Sequence, residues 1–176
     1  MKHVVGVAEM AVTTAPEDVL VTHALGSCLG IAAHDATAGV GGLLHVMMPL
    51  SKINPEKAAT NPFLFVDTGV PRFLDELFDH GATRRTLTLM VAGGACVNPG
   101  ETDRFAIGKR NFVVFKKLLW KNGILIAAQD VGGQKARTMR LDIATGRVFL
   151  TSGPASWELQ PAAENRRQRE GARNVA

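Results

Sequence analysis

Apolar positions along the chain change period several times, and the period predicts the elements. Short runs rich in Val, Leu and Ile at 4–7, 18–22 and 29–34 predict strands. Residues 35–39 carry turn formers, and a further run at 40–48 ends at Pro49. Two strands joined by so short a connection pair antiparallel. Residues 51–62, with two Pro and two Asn, predict a loop. Val70, Phe73, Leu74, Leu77 and Phe78 then fall at i, i+3, i+4, i+7 and i+8, one apolar helical face, with Gly81 at the C-terminal cap. Either Thr68 is the N-cap, leaving Pro71 in the first turn, or the helix begins at Asn61–Pro62 and kinks near Pro71. A β run at 86–91 leads into Gly93-Gly94-Ala95. A second helix spans 107–121, with Phe112, Phe115, Leu118 and Leu119 inward, and Asn122-Gly123 ends it. Residues 124–128 predict a strand, and 138–143 and 147–151 flank the hairpin signal Ala144-Thr145-Gly146. Two main helices against a predominantly antiparallel β core give an α+β class.

Composition narrows the setting. A chain of 176 residues, 46% hydrophobic and 20% charged, folds as one ordinary domain without staples. That domain is expected over 1–160. The segment 161–176 has four Arg (Arg166, Arg167, Arg169, Arg173) against Glu164 and Glu170, and reads as a basic, disordered tail. Nucleic-acid binding is not indicated: the net charge is only +4, Tyr is absent, and no aromatic stripe interleaves with basic residues. Two cysteines cannot make a disulfide framework, and the first ten residues, interrupted by Gly6 and Glu9, do not read as a signal peptide. The most apolar segment, 19–33, contains Thr22, His23 and Ser27 and falls short of the roughly 20 apolar residues of a membrane span. The expectation is a cytoplasmic protein with no direct membrane insertion.

The candidate chemistry begins at Leu25-Gly26-Ser27-Cys28-Leu29-Gly30. A Cys between glycines directly after a β run can be presented by a sharp turn, with the backbone N–H groups of Gly26 and Ser27 free to meet an oxyanion. Such a residue is more often a buried inert thiol. His45 stands alone in the apolar strand Gly42-Leu43-Leu44-His45-Val46. A lone strand His is usually a hydrogen-bonded core residue. The tight connection nevertheless makes the two strands neighbours, and an adjacent imidazole is the usual activator of a thiol. Thr22 could accept the other ring N–H of His45 and fix its tautomer, or be an ordinary β-branched strand residue. His23 follows it and points to the opposite face. Gly93-Gly94 lacks any surrounding phosphate-loop or dinucleotide pattern, so close strand packing is its reading, and no cofactor is called for. Zinc at Cys28, His45 and Cys96 lacks paired spacing and a fourth ligand, so no metal is expected.

Four separated motifs, taken together, carry a resemblance. They are Thr22 with Leu25-Gly26-Ser27-Cys28, then Gly42 through Pro49 around His45, then Ala92-Gly93-Gly94-Ala95, and Ile107-Gly108-Lys109-Arg110-Asn111. In this order, over about 5–150, the chain resembles the chemoreceptor glutamine deamidase family, CheD. The resemblance implies a layered α/β/β fold similar to the catalytic domains of deamidating toxins. It implies Cys28 as nucleophile, His45 as general base and acid, Thr22 as orienting residue, and Asn111 as a residue that caps or orients a loop near the site. The implied reaction is acyl transfer through a thioester, converting glutamine side chains of chemoreceptors to glutamate, with a CheC-type phosphatase as a further partner. The chain departs from the common pattern at Phe65, where Tyr is frequent, at Pro71 inside a helix, and at Cys96 after the Gly-Gly-Ala motif. Two other readings compete: a binding module that modulates such a phosphatase and receptors without chemistry, and another cysteine hydrolase such as a protease. An intact Thr22–Cys28–His45 set favours the enzyme, since a pure binder need not keep it.

Overall fold

The computed structural model describes residues 1–97 and 106–161, so the expected tail lies, past Pro161, outside the described residues. The strands are β1 (Lys2–Val4), β2 (Glu9–Thr13), β3 (Val19–Leu25), β4 (Leu29–Asp35), β5 (Val40–Val46), β6 (Thr88–Gly93), β7 (Ala128–Val131), β8 (Arg137–Asp142), β9 (Val148–Ser152) and β10 (Ala155–Leu159). The helices are α1 (Pro55–Thr60), α2 (Val66–Asp79) and α3 (Ile107–Lys121). The strands form two five-stranded sheets, an inner one ordered β2-β5-β4-β6-β7 and an outer one ordered β1-β3-β8-β9-β10. Only β1/β3 and β6/β7 pair parallel; the other pairs are antiparallel. Helices α2 and α3 cover the inner sheet's free face, which gives the expected α+β class with layers in the order helix, sheet, sheet.

This layering explains the sequence pattern. The inner sheet is covered on both faces, so β5 is buried along its whole length and reads as an unbroken apolar run. The outer sheet turns one face to solvent, so β8 and β9 alternate. Ile31, Leu44 and Val46 pack against Val70, Phe73, Leu77, Phe115 and Leu119 of the helices. Leu43 and Met90 point the other way and meet Leu20, Met139, Leu141 and Leu150 of the outer sheet. Each such fully buried aliphatic or aromatic side chain contributes roughly 1.5–3 kcal/mol. The expected helix faces hold, with Phe78, Phe112 and Leu118 at their partly buried margins. Gly81 (φ +93°) and Gly123 (φ +66°) end α2 and α3 as expected.

Several boundaries differ for physical reasons. The expected loop at 51–62 contains α1, because Asn54 accepts the Lys57 N–H (3.0 Å) with Pro55 in the first turn; Asn61 and Pro62 start a second, 3₁₀ turn in the same way. Asn-Pro starts helices as well as loops. Helix α2 begins at Val66, neither at Thr68 nor at Asn61, and the Thr68 hydroxyl donates to Pro62 O at 2.6 Å. Pro71 therefore sits in the second turn, where it deprives the Asp67 carbonyl of its helical donor. The strand expected at 124–128 lies at Ala128–Val131, because the Ile124 N–H caps α3 on Leu119 O (3.1 Å). The first strand ends at Val4 instead of running to residue 7. Strands β2 and β10, five residues each and at sheet edges, mix polar and apolar residues and are not expected from the pattern.

Candidate active site

Cys28 lies in the bend between β3 and β4. The bend starts with a β-bulge: Thr22 pairs with Met139 and Leu25 with Arg137, one residue more on β3 than on β8. The bulge lets both Thr22 and Leu25 point inward, which a regular strand forbids. The left-handed residue that makes the turn is Ala24 (φ 58°), not a glycine. Gly30 serves packing, since a Cβ there would fall 2.6 Å from Leu25 Cδ1. The Gly26 N–H donates to Ala24 O at 2.9 Å. Gly26 is one of the two amides expected at an oxyanion, and here its N–H is engaged within the bend. Among the described residues, no oxygen of another residue accepts from Ser27 or Cys28 N–H.

Distant segments hold the bend. Gly93 (φ +110°) is pressed against it so closely that a Cβ would lie 2.1 Å from Cys28 O, and Gly94 N–H donates to that oxygen at 2.8 Å. Ala95 N–H donates to Gly26 O at 2.8 Å. The Gly-Gly motif is close backbone packing, as its sequence context indicates. Gly108 extends it: a Cβ there would fall 2.5 Å from Gly94 O, so only glycine lets α3 start this close. The fully buried Asn111 donates from Nδ2 to Ser27 O (3.0 Å) and Met47 O (2.9 Å).

His45 sits in the middle of the molecule. The ladder sets Gly30 directly across from it, so Cys28, two residues along and on the same face, is its diagonal neighbour. Thr22 reaches His45 from the outer sheet, with Oγ1 2.7 Å from Nδ1. The Thr22 hydroxyl has one proton, and that proton goes to Val5 O at 2.7 Å. Its oxygen can therefore only accept from His45, which puts the ring proton on Nδ1 and leaves the lone pair on Nε2. Nε2 is buried and has no hydrogen-bond partner among the described residues. The structure thus joins Thr22 to His45 by a hydrogen bond, and sets Cys28 beside His45 without one.

Burial pushes the Cys28 thiol up, partly offset by its own amide. Burial also holds His45 well below the usual imidazole range, at about 4. At neutral pH the site is therefore a thiol beside a neutral imidazole, a base waiting for its proton. Cys96, after the Gly-Gly-Ala motif, is half-buried, and its N–H donates to Gly133 O at 2.9 Å. His23 is exposed on the outer face near Thr138 (3.2 Å), as its strand parity requires. Ala24 and the Val5 carbonyl carry no sequence signal and emerge only with the fold.

Comparison with known proteins bears on this arrangement. A family model described as CheD chemotactic sensory transduction matches residues 47–152. The chain is 45% identical over 159 residues to the probable chemoreceptor glutamine deamidase CheD of Solibacter usitatus, covering 90% of this chain and 94% of that protein. It is 41% identical to the corresponding CheD 1 of Syntrophus aciditrophicus, over 85% of this chain and 92% of that one. It is 40% identical to that of Natronomonas pharaonis, over 84% and 86%. The chain belongs to the CheD family. The CheD family model begins at Met47, after Thr22, Cys28 and His45. No helix among the described residues of this CheD protein is long and apolar enough to cross a membrane.

Proposed function

We propose that this chain is a cytoplasmic chemoreceptor glutamine deamidase that works through a thioester on Cys28. The observation that carries the reading is His45 Nε2: buried, left as the lone-pair nitrogen by the Thr22 contact at Nδ1, without a hydrogen-bond partner among the described residues, and one strand away from the thiol of Cys28 on the same face. The names of the relatives supply the substrate class, glutamine side chains of chemoreceptors.

The chemistry follows from the neutral pair. His45 Nε2 takes the thiol proton as Cys28 Sγ bonds to the carboxamide carbon. The carbonyl oxygen becomes an oxyanion, received by the Ser27 and Cys28 amides; one such donor is worth about 3 kcal/mol. The imidazolium returns its proton to nitrogen, the C–N bond breaks, and ammonia leaves a thioester. A water then gives a proton to His45 and its oxygen to the acyl carbon. The C–S bond breaks, the sulfur regains a proton, and glutamate remains. Thr22 is a positioning residue: it keeps Nε2 the basic nitrogen throughout.

Incubating a chemoreceptor cytoplasmic fragment with the wild-type protein releases ammonia and adds about one dalton for each glutamine converted. Cys28→Ala abolishes both, as read by mass spectrometry; retained conversion in that variant refutes the assignment. A CheC-type phosphatase is a further proposed partner, and its binding to Cys28→Ala would separate docking from chemistry.

A further inference from the structure

We infer that Asn111 is a positioning residue that aims the Cys28 amide at the oxyanion, an inference that rests on the reading of Cys28 as nucleophile. The Ser27 carbonyl and the Cys28 N–H belong to one planar trans peptide group, so they point in opposite directions. Asn111 Nδ2 draws that carbonyl toward α3 at 3.0 Å. Helix α3 packs on the face of the inner sheet opposite the inter-sheet layer. The Cys28 N–H is thereby turned toward the inter-sheet side, where the Cys28 side chain packs. The amide also acts on its own sulfur, lowering the thiol pKa against the effect of burial.

The second Nδ2 proton goes to Met47 O at 2.9 Å, two residues beyond His45. One amide group therefore ties the nucleophile's peptide plane to the end of the strand that carries the base. Two carbonyl acceptors fix which end of the side chain is nitrogen. Asn111 Oδ1 is buried and has no partner among the described residues. A residue retained for stability alone would not bury an unpaired oxygen. What Asn111 supplies is the direction of the Ser27–Cys28 peptide, which nothing in the bend itself fixes.

The test compares two reactions of the same sulfur. Deamidation builds an oxyanion; alkylation of Cys28 by iodoacetamide displaces iodide and builds none. In the full chain carrying Asn111→Leu, which keeps the side chain's shape, kcat for a chemoreceptor fragment falls roughly 10- to 100-fold. KM stays within about threefold of wild type and the alkylation rate falls far less than kcat, because the thiol loses only the help of its own amide while deamidation loses its oxyanion donor. An unchanged kcat, or a parallel fall of kcat and alkylation, overturns the inference. If the variant does not fold, the wild-type protein answers alone. A glutamine-site peptide with an aldehyde in place of the carboxamide forms a thiohemiacetal on Cys28. The Cys28 amide proton then moves downfield in ¹⁵N-resolved spectra, and an unmoved resonance overturns the inference. A wild-type chain that neither releases ammonia nor alkylates at Cys28 overturns the nucleophile reading and this inference with it. An active wild type with an unaffected Asn111→Leu overturns this inference only.

Discussion

Cys28 and His45 are neighbours held by different physics. His45 lies inside β5, paired on one side to β4 and on the other to β2, and its carbonyl takes the Ala8 N–H at 2.9 Å. Regular ladder geometry places it, and one cross-sheet hydrogen bond sets its tautomer. Cys28 lies just off the strand, in a bend whose shape comes from elsewhere: Gly93 against its carbonyl, Ala95 on Gly26 O, Asn111 on Ser27 O, and Ala24 in a left-handed conformation. His45 inherits its position from secondary structure; Cys28 inherits it from tertiary contacts some 65 to 85 residues away in sequence, on the order expected of a bend without local turn chemistry. The two halves of the site should therefore break in different ways.

The largest effect is expected on the nucleophile's side. Gly93→Ala puts a Cβ 2.1 Å from Cys28 O at a φ of +110°, and neither backbone can yield without moving the bend or β6. The expected cost is about 3 kcal/mol or more, from overpacking added to a left-handed alanine. For a chain of this size that lowers Tm by roughly 6–12 °C. A calorimetric scan showing a change under about 1 kcal/mol would mean that the bend adapts and is not held by that contact.

The same division governs what was legible in the sequence. Regular elements announced themselves: the helical spacing of Val70 through Leu77, the apolar runs of β4 and β5, and the Ala144-Thr145-Gly146 hairpin all match the structure. So did the pairing of β4 with β5, because a short connection forces antiparallel pairing, while the register that sets Cys28 beside His45 came only with the fold. The details of the bend were not legible. The glycines flanking Cys28 suggested the turn, yet Ala24 makes it, and Gly26 N–H is already engaged. An alanine at positive φ has no sequence signature, since surrounding contacts impose that conformation. Edge strands β2 and β10 escaped because Glu9–Thr13 and Ala155–Leu159 mix polar and apolar residues at partly covered margins.

The base side is sharpened by acid. Unfolded, His45 titrates near 6.5; folded, burial lowers it to about 4. Between those values the unfolded chain binds a proton that the folded chain refuses. Stability is thus complete above about pH 6.5 and declines as pH falls toward 4. By pH 4.5, about two pH units below the unfolded value, roughly 2.5–3 kcal/mol is lost, since each tenfold loss of proton affinity on folding corresponds to about 1.4 kcal/mol. Asp18, held at about 2 chiefly by His3 and then by Thr13, loses its contribution only at lower pH, so the two windows separate. Urea titrations at pH 7 and pH 4.5 should show this decline in the wild type and its absence in His45→Gln. Equal slopes would mean that water reaches the imidazole. The acid limb of kcat/KM should follow the same depressed value, because catalysis needs Nε2 unprotonated.

The smallest effect belongs to the bond between the sheets. Thr22→Val keeps the shape of a fully buried residue but removes the acceptor for His45 Nδ1–H and the donor to Val5 O. The ring is then free to carry its proton on Nε2, the nitrogen that must accept one from the thiol. A kcat lowered roughly 10- to 30-fold, about 1.4–2 kcal/mol, is expected, with KM little changed. Thr22→Ser retains the hydroxyl and should retain activity within about threefold. Imidazole ¹⁵N shifts give the decisive readout, because they report the tautomer directly: Nδ1–H in the wild type and in Thr22→Ser, a mixture in Thr22→Val. If all three proteins show the same tautomer while kcat still falls in Thr22→Val, the hydroxyl acts through packing between the sheets. His45 would then owe its basic nitrogen to something other than the strand across from it.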